Sequence, residues 1–138
     1  MQNNQSPIIN HQTITNDRKV NHQTVKGFDL EERTTKYAKS IIVLCKKLGK
    51  NSINFVLISQ LVRSAGSVGA NYREANDALS KKDFIHRMKI TRKEAKESEH
   101  WLELVLEANS DLTMQINSIT KETIELKKIL SAIIAKSQ

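Results

Sequence analysis

The apolar residues of this chain recur at intervals of three and four, and only one proline and four glycines occur in its 138 residues. That period lines side chains along one stripe of an α-helix, and no segment alternates as a strand would, so the predicted fold class is all-α. The length fits one domain, since single domains most often hold about 100 to 150 residues. Aromatic residues make up only 4% of the chain and charged residues 27%, so the core has to be built from Leu, Ile, Val and Ala.

Projection on a helical wheel predicts four amphipathic helices, at about 29–49, 52–79, 81–109 and 112–136. The first carries Leu30, Tyr37, Ile41, Leu44 and Leu48 in one stripe. The second buries Leu57, Ile58, Leu61, Val62, Ala65, Val68, Gly69, Tyr72, Ala75 and Leu79. In the third the stripe is Phe84, Met88, Thr91, Ala95, Ser98, Leu102 and Val105, and in the fourth Leu112, Ile116, Ile119, Thr123, Leu126, Leu130 and Ile133. Asn51 or Ser52 can cap the second helix, and Ser80, with Asp83 three residues on, the third. Short connections make an antiparallel up-down four-helix bundle the expected architecture, over residues 28–138. Residues 1–27 hold the only proline, are rich in Asn, Gln, Thr and His and show no sustained period; they read as a disordered polar tail.

No run of 18 apolar residues occurs, and "MQNNQSPIINHQT" lacks the charged start and apolar centre of a signal peptide, so a cytoplasmic protein without a membrane partner is expected. The single cysteine, Cys45, falls among apolar helix positions and reads as a small buried hydrophobe.

The stretch "RSAGSVGANYREA", residues 63–75, could be a phosphate-cradling loop or a helix made thin. Its "GSVG" lacks the sheet on which an RNA-clamping GxxG loop sits, and it lacks the Lys-Ser/Thr ending of a P-loop. The core stripe runs through Ala65, Val68, Gly69 and Tyr72 without slipping phase, so the segment reads as helix. Each helical glycine costs about 1 kcal/mol relative to alanine. Close approach of another helix to Gly66, Gly69 and Ala70 would offset that cost. On the opposite side Gln60, Arg63, Ser67, Asn71 and Glu74 fall within an arc of about 80°. An ordinary solvated face would carry Lys and Glu, so these residues point to a packed or binding surface.

Helix three has a second apolar stripe, Ile90, Trp101, Leu104 and Ala108, roughly 90 to 150° from the first. A monomeric bundle needs one apolar face per helix, so a partner is expected to cover the other, most economically a second copy of the chain. A large core residue at a bundle edge is the plainer reading of Trp101. The candidate oligomer interface is therefore Arg63, Gly66, Ser67, Ala70, Asn71, Glu74, Ile90, Trp101 and Leu104. Arg63 and Glu74 stand about 16 Å apart along one helix and could pair only across subunits.

"QLVRSAGSVGANYREA" followed by "DFIHRMKITRKEAKESEHWLELV" resembles the small four-helix-bundle proteins first noticed as reading frames within intervening sequences of bacterial large-subunit ribosomal RNA genes. That family includes the accessory variability protein of diversity-generating retroelements. The resemblance covers about residues 28–135. The family pattern falls on Arg63, Ser67, Asn71 and Glu74 of helix two, and on Lys93, Glu94, Ala95, Glu97, Trp101 and Leu102 of helix three. It implies a homopentameric ring of bundles, a reverse transcriptase as one class of partner, and no established enzymatic activity. The chain departs from the pattern in its longer polar N-terminus and in Thr91 where alanine is common.

The residues supply no catalytic constellation. His86 and His100 are separated by roughly 21 Å along helix three and cannot share a metal within one chain. No HExxH, CxxC or paired carboxylates with an obvious base occur, so no catalytic residue, metal or cofactor is expected. The net charge is +7. Lys36, Lys39, Lys46, Lys47 and Lys50 oppose the core stripe of helix one, and Lys82, Lys89, Arg92, Lys93 and Lys96 lie outward on helix three. These ten cations are the candidate nucleic-acid-binding residues. Two functions follow: an oligomeric accessory protein that holds RNA or DNA phosphates without reading bases, or a protein-interaction scaffold whose basic faces keep it soluble.

Overall fold

The computed structural model describes residues 29–138, so the predicted tail of residues 1–27 lies outside the described residues. Four helices follow one another: α1 (Leu30–Lys47), α2 (Ser52–Asn76), α3 (Lys81–Ala108) and α4 (Thr113–Ser137), with a 3-10 turn (Ser110–Leu112) before the last. Each of the first three begins at a capping side chain that takes up a free backbone N–H of the first turn. Asp29 accepts from the Glu31 N–H, Asn51 from Asn54 at 2.8 Å, and Ser80 from Asp83 at 3.1 Å. The fourth has no side-chain cap and is entered through the 3-10 turn.

The cross-links between helices run in opposite directions along each neighbouring pair, which makes the bundle antiparallel throughout. Glu31 and Thr34 of α1 meet Arg73 and Gly69 of α2, and Ser64 of α2 meets Ser98 of α3. Glu99 of α3 meets Lys127 of α4, and Arg33 and Lys47 of α1 meet Glu122 and Gln115 of α4. Helix α1 packs on α2 and α4, and α3 packs on the same two, so α1 and α3 are diagonal.

The core contains the aliphatic stripes read from the sequence, with Tyr37, Ile41, Leu44, Leu61, Val68, Tyr72, Met88, Leu102, Ile116, Leu126 and Leu130 fully buried. Two expected core residues are not in it. Leu79 is 99% exposed, because α2 stops at Asn76 and residues 77–80 are needed to reverse the chain and set Ser80 in the extended geometry of a cap. Val62 lies about 100° from the middle of the buried face of α2 and is 37% exposed. Phe84, Ile58 and Leu112 pack at the core edge, half-buried.

Gly69 is where two helices approach closely: a Cβ there would stand 3.1 Å from the Thr34 hydroxyl of α1. Gly66, expected to share that role, faces open space within the subunit, with nothing within 4 Å of a built Cβ. A polar layer crosses the core. The Tyr37 hydroxyl donates to Thr123 at 2.7 Å, the Thr123 hydroxyl being engaged with the Ile119 carbonyl, and the Ser64 and Ser98 hydroxyls meet at 2.8 Å. Burial pushes the Tyr37 phenol up to about 12. At one end Asn54 and Asn109 exchange side-chain hydrogen bonds of 3.0 and 2.9 Å, while their other amide protons reach the Gly49 and Val105 carbonyls. This pair ties the α1–α2 turn to the end of α3.

Candidate nucleic-acid interface

The ten cations predicted from the sequence do not form one surface. Lys36, Lys39, Lys46 and Lys47 are exposed on α1 and Lys50 in the turn after it, and Lys82, Lys89, Lys93 and Lys96 are exposed on α3, the diagonal helix. The α1 set is also partly offset by acid. A cleft of about 640 Å³ between α1 and α4 sets Arg33 and Lys36 beside Asp29, Glu32 and Glu122. There the Arg33 guanidinium donates to both oxygens of Glu122, at 2.9 and 2.8 Å, and that bond raises its pKa further.

On the other side of the bundle α3 and α4 enclose a groove of about 810 Å³ lined by Lys89, Arg92, Lys93, Lys96, Ile124, Lys127, Lys128 and Ser131. Six of these eight residues are cations and none is a carboxylate. Arg92 is half-buried and held in place by a 3.3 Å hydrogen bond to the Ser131 hydroxyl. Lys127 is anchored by Glu99 at 2.5 Å, whereas Lys89, Lys96 and Lys128 have no ion pair among the described residues. Lys82, on the first turn of α3, is not part of the lining. Lys127 and Lys128 were not anticipated from the sequence. They follow Leu126 directly, and the strict core repeat of α4 masks the adjacent pair; the signal available was the doubled lysine itself.

The motif residues of helices two and three gather at a second place, the outer edge of the α2–α3 seam. Arg63 pairs with Glu97 and stands 3.5 Å from a Glu94 oxygen, and Gln60 accepts from the same guanidinium at 3.0 Å. The Trp101 indole N–H donates to Glu97 at 2.9 Å. That bond, with the Arg63 charge, holds the Glu97 carboxyl below its ordinary value against the opposing effect of burial. Arg63 thus finds its acidic partners on α3 of its own chain, with Glu74 exposed about three turns away. Ser67 donates to the Arg63 carbonyl and Asn71 to that of Ser67, so both side chains lie back along their own helix. With Gly66 and Ala70 exposed, the outward face of α2 is low and nearly uncharged, and Phe55 (60%) and Val56 (61%) are exposed on the same helix. Ile90 and Trp101 are half-buried and Leu104 is 39% exposed along the α3 side of this seam.

Cys45 is buried, and burial pushes its thiol up to about 11. Among the described residues no group of three His, Cys, Asp and Glu side chains could hold a metal ion, and no helix is long and apolar enough to cross a membrane.

Fold and site define a small four-helix-bundle protein with a basic groove on one side and a low, weakly charged ridge beside it. The chain belongs to the 23S rRNA-intervening sequence protein family, whose profile matches residues 27–132. It is similar to a protein of unknown function from the S23 ribosomal protein family of Bacteroides thetaiotaomicron, seen in a crystal structure. The TM-score is 0.69 at 38% identity, over 75% of this chain and 96% of that one. No curated protein matches the chain.

Proposed function

We propose that this chain is a non-enzymatic, homo-oligomeric accessory protein that holds the phosphate backbone of RNA or DNA without reading its bases. The observation that carries this reading is the α3–α4 groove, with six lining cations and no lining carboxylate. Such a surface binds by releasing counterions from phosphates, a term blind to sequence. A family named for intervening sequences of 23S rRNA is a setting in which an RNA ligand is at hand. Self-association is assigned to the α2–α3 seam, where exposed Gly66 and Ala70 leave room for a second copy, and the pentamer is the state the family resemblance favours. By the same resemblance a reverse transcriptase is a partner to test.

The experiment is equilibrium binding of RNA and DNA across a salt series. The variants are Lys89→Glu/Lys93→Glu/Lys96→Glu in the groove and, as a control on the diagonal helix, Lys39→Glu/Lys46→Glu. With about six phosphate contacts, affinity should fall about 10³-fold between 50 and 200 mM salt, and the groove variant should lose binding that the α1 variant keeps. No binding by the wild type at about 50 mM salt leaves the protein-interaction scaffold as the function, and equal binding by the groove variant removes the groove as the binding surface.

A further inference from the structure

We infer that the α3–α4 groove selects a double helix over a single strand, its ligand being the paired phosphate rows of an RNA or DNA duplex; this rests on the nucleic-acid reading above. The lining cations come from two neighbouring antiparallel helices, Lys89, Arg92, Lys93 and Lys96 from α3 and Lys127 and Lys128 from α4. Packed helix axes stand about 8–10 Å apart, so four cations line the α3 side of the groove and a pair, one turn beyond Ile124, lines the α4 side. Along α3 the row from Lys89 to Lys96 extends about 10 Å. Both sides are fixed from behind, because both helices bury their opposite faces, Met88, Ala95, Leu126 and Leu130 being fully buried. Cations carried on two fixed sides of one groove match a ligand with two rows of phosphates, and a duplex offers a charge about every 1.7 Å of its axis.

A single strand offers one flexible row, and proteins that bind it compensate by stacking bases on aromatic side chains. The groove has none. Tyr37 and Tyr72 are fully buried, Phe84 packs against the core, Phe55 is on α2, and Trp101 is committed to Glu97 on the α2 side of α3. Nor does the groove offer amide side chains for base edges, and its one hydroxyl, Ser131, is engaged by Arg92. What remains is a backbone clamp.

The test measures fluorescence anisotropy of the full chain with three labelled probes of one sequence, about 20 nucleotides long: single-stranded RNA, duplex RNA and duplex DNA. The groove variant is Lys89→Gln/Lys93→Gln/Lys128→Gln, three exposed positions whose replacement leaves the core untouched. At about 100 mM salt a duplex should bind at least about tenfold tighter than the single strand, and the variant should lose about 2.7 units of log–log salt slope, near 0.9 for each phosphate contact. Single-strand binding as tight as duplex binding overturns the inference and leaves the nucleic-acid reading standing. A duplex preference unchanged in the variant overturns the assignment to this groove. No binding of any probe at about 50 mM salt removes both.

Discussion

Gly66 separates an assembled molecule from a solitary one. In the isolated subunit a Cβ at Gly66 meets nothing within 4 Å, while the same addition at Gly69 meets Thr34 at 3.1 Å. Gly66→Leu should therefore be free of any clash inside the subunit. Leucine is a better helix former than glycine by about 0.8 kcal/mol. For a domain of this size, that gain alone raises the melting temperature by about 3–4 °C. If a second copy packs against the thin face of α2, the outcome reverses. An isobutyl group forced into a close helix contact costs about 1–3 kcal/mol at each interface, more than the propensity gain. Light scattering coupled to size exclusion at micromolar protein should then show a reduced mass, with a melting temperature that falls on dilution. A variant of unchanged mass with a raised melting temperature would refute the reasoning, since Gly66 would then be a solvated position.

Three other outcomes can be stated from the structure. Asn54→Ala removes the side-chain donor to Asn109 Oδ1 and the acceptor of the Asn109 amide, and orphaning the buried Asn109 side chain should cost about 1–3 kcal/mol in urea unfolding. Because the Glu97 carboxyl titrates below its unfolded value, its contribution to stability is present above about pH 4.3 and is lost as pH falls through the folded value. Wild type should therefore exceed Glu97→Gln in urea midpoint at pH 7, and the gap should close as pH falls through the folded value; a gap that does not narrow in acid would contradict the ion-pair account. Cys45, its thiol pushed up to about 11 by burial, should resist an aromatic disulfide reagent at pH 8 until urea unfolds the chain. Rapid stoichiometric labelling of the native protein would show the site to be open.

Features of the fold that depend on neighbours in sequence were legible there. The Ser80 cap with Asp83, the Asn51 cap and the four aliphatic stripes are set by side chains within a turn or two of one another. The end of α2 was misjudged at Leu79 because apolar character continues past the point where the chain has to turn, and only the geometry of the following cap reveals the stop. Gly66 and Gly69 are three residues apart in one small-residue run, and which of them meets α1 depends on Thr34, a residue about 35 positions away. The site was half legible for a similar reason. A wheel shows which side of α3 holds Lys89 and Lys93. It does not show that α4 lies alongside with Lys127 and Lys128, or that the lysines of α1 are across the bundle.

The two surfaces assigned to assembly and to nucleic acid support each other physically. A single groove of six cations, two of them held by Ser131 and Glu99, makes at most about six phosphate contacts and reads no bases. Non-specific binding of that kind is weak, with dissociation constants of about 10⁻⁴ to 10⁻⁶ M at physiological salt. Repetition of the groove around an oligomer would turn later contacts into intramolecular events and could raise the overall affinity by a factor of about 10² to 10⁴ without any new contact. That gain is available only if assembly leaves the grooves uncovered. The thin α2 face and the α2–α3 seam provide for this, because α2 and α4 lie on different sides of α3. A helix such as α2, whose 25 residues include only Arg63, Arg73 and Glu74 as charged groups, is poorly suited to face water and well suited to face another copy. In that arrangement helix α3 would serve both proposed functions, with Trp101 and Glu97 on its α2 side and Lys89 and Lys96 on its α4 side.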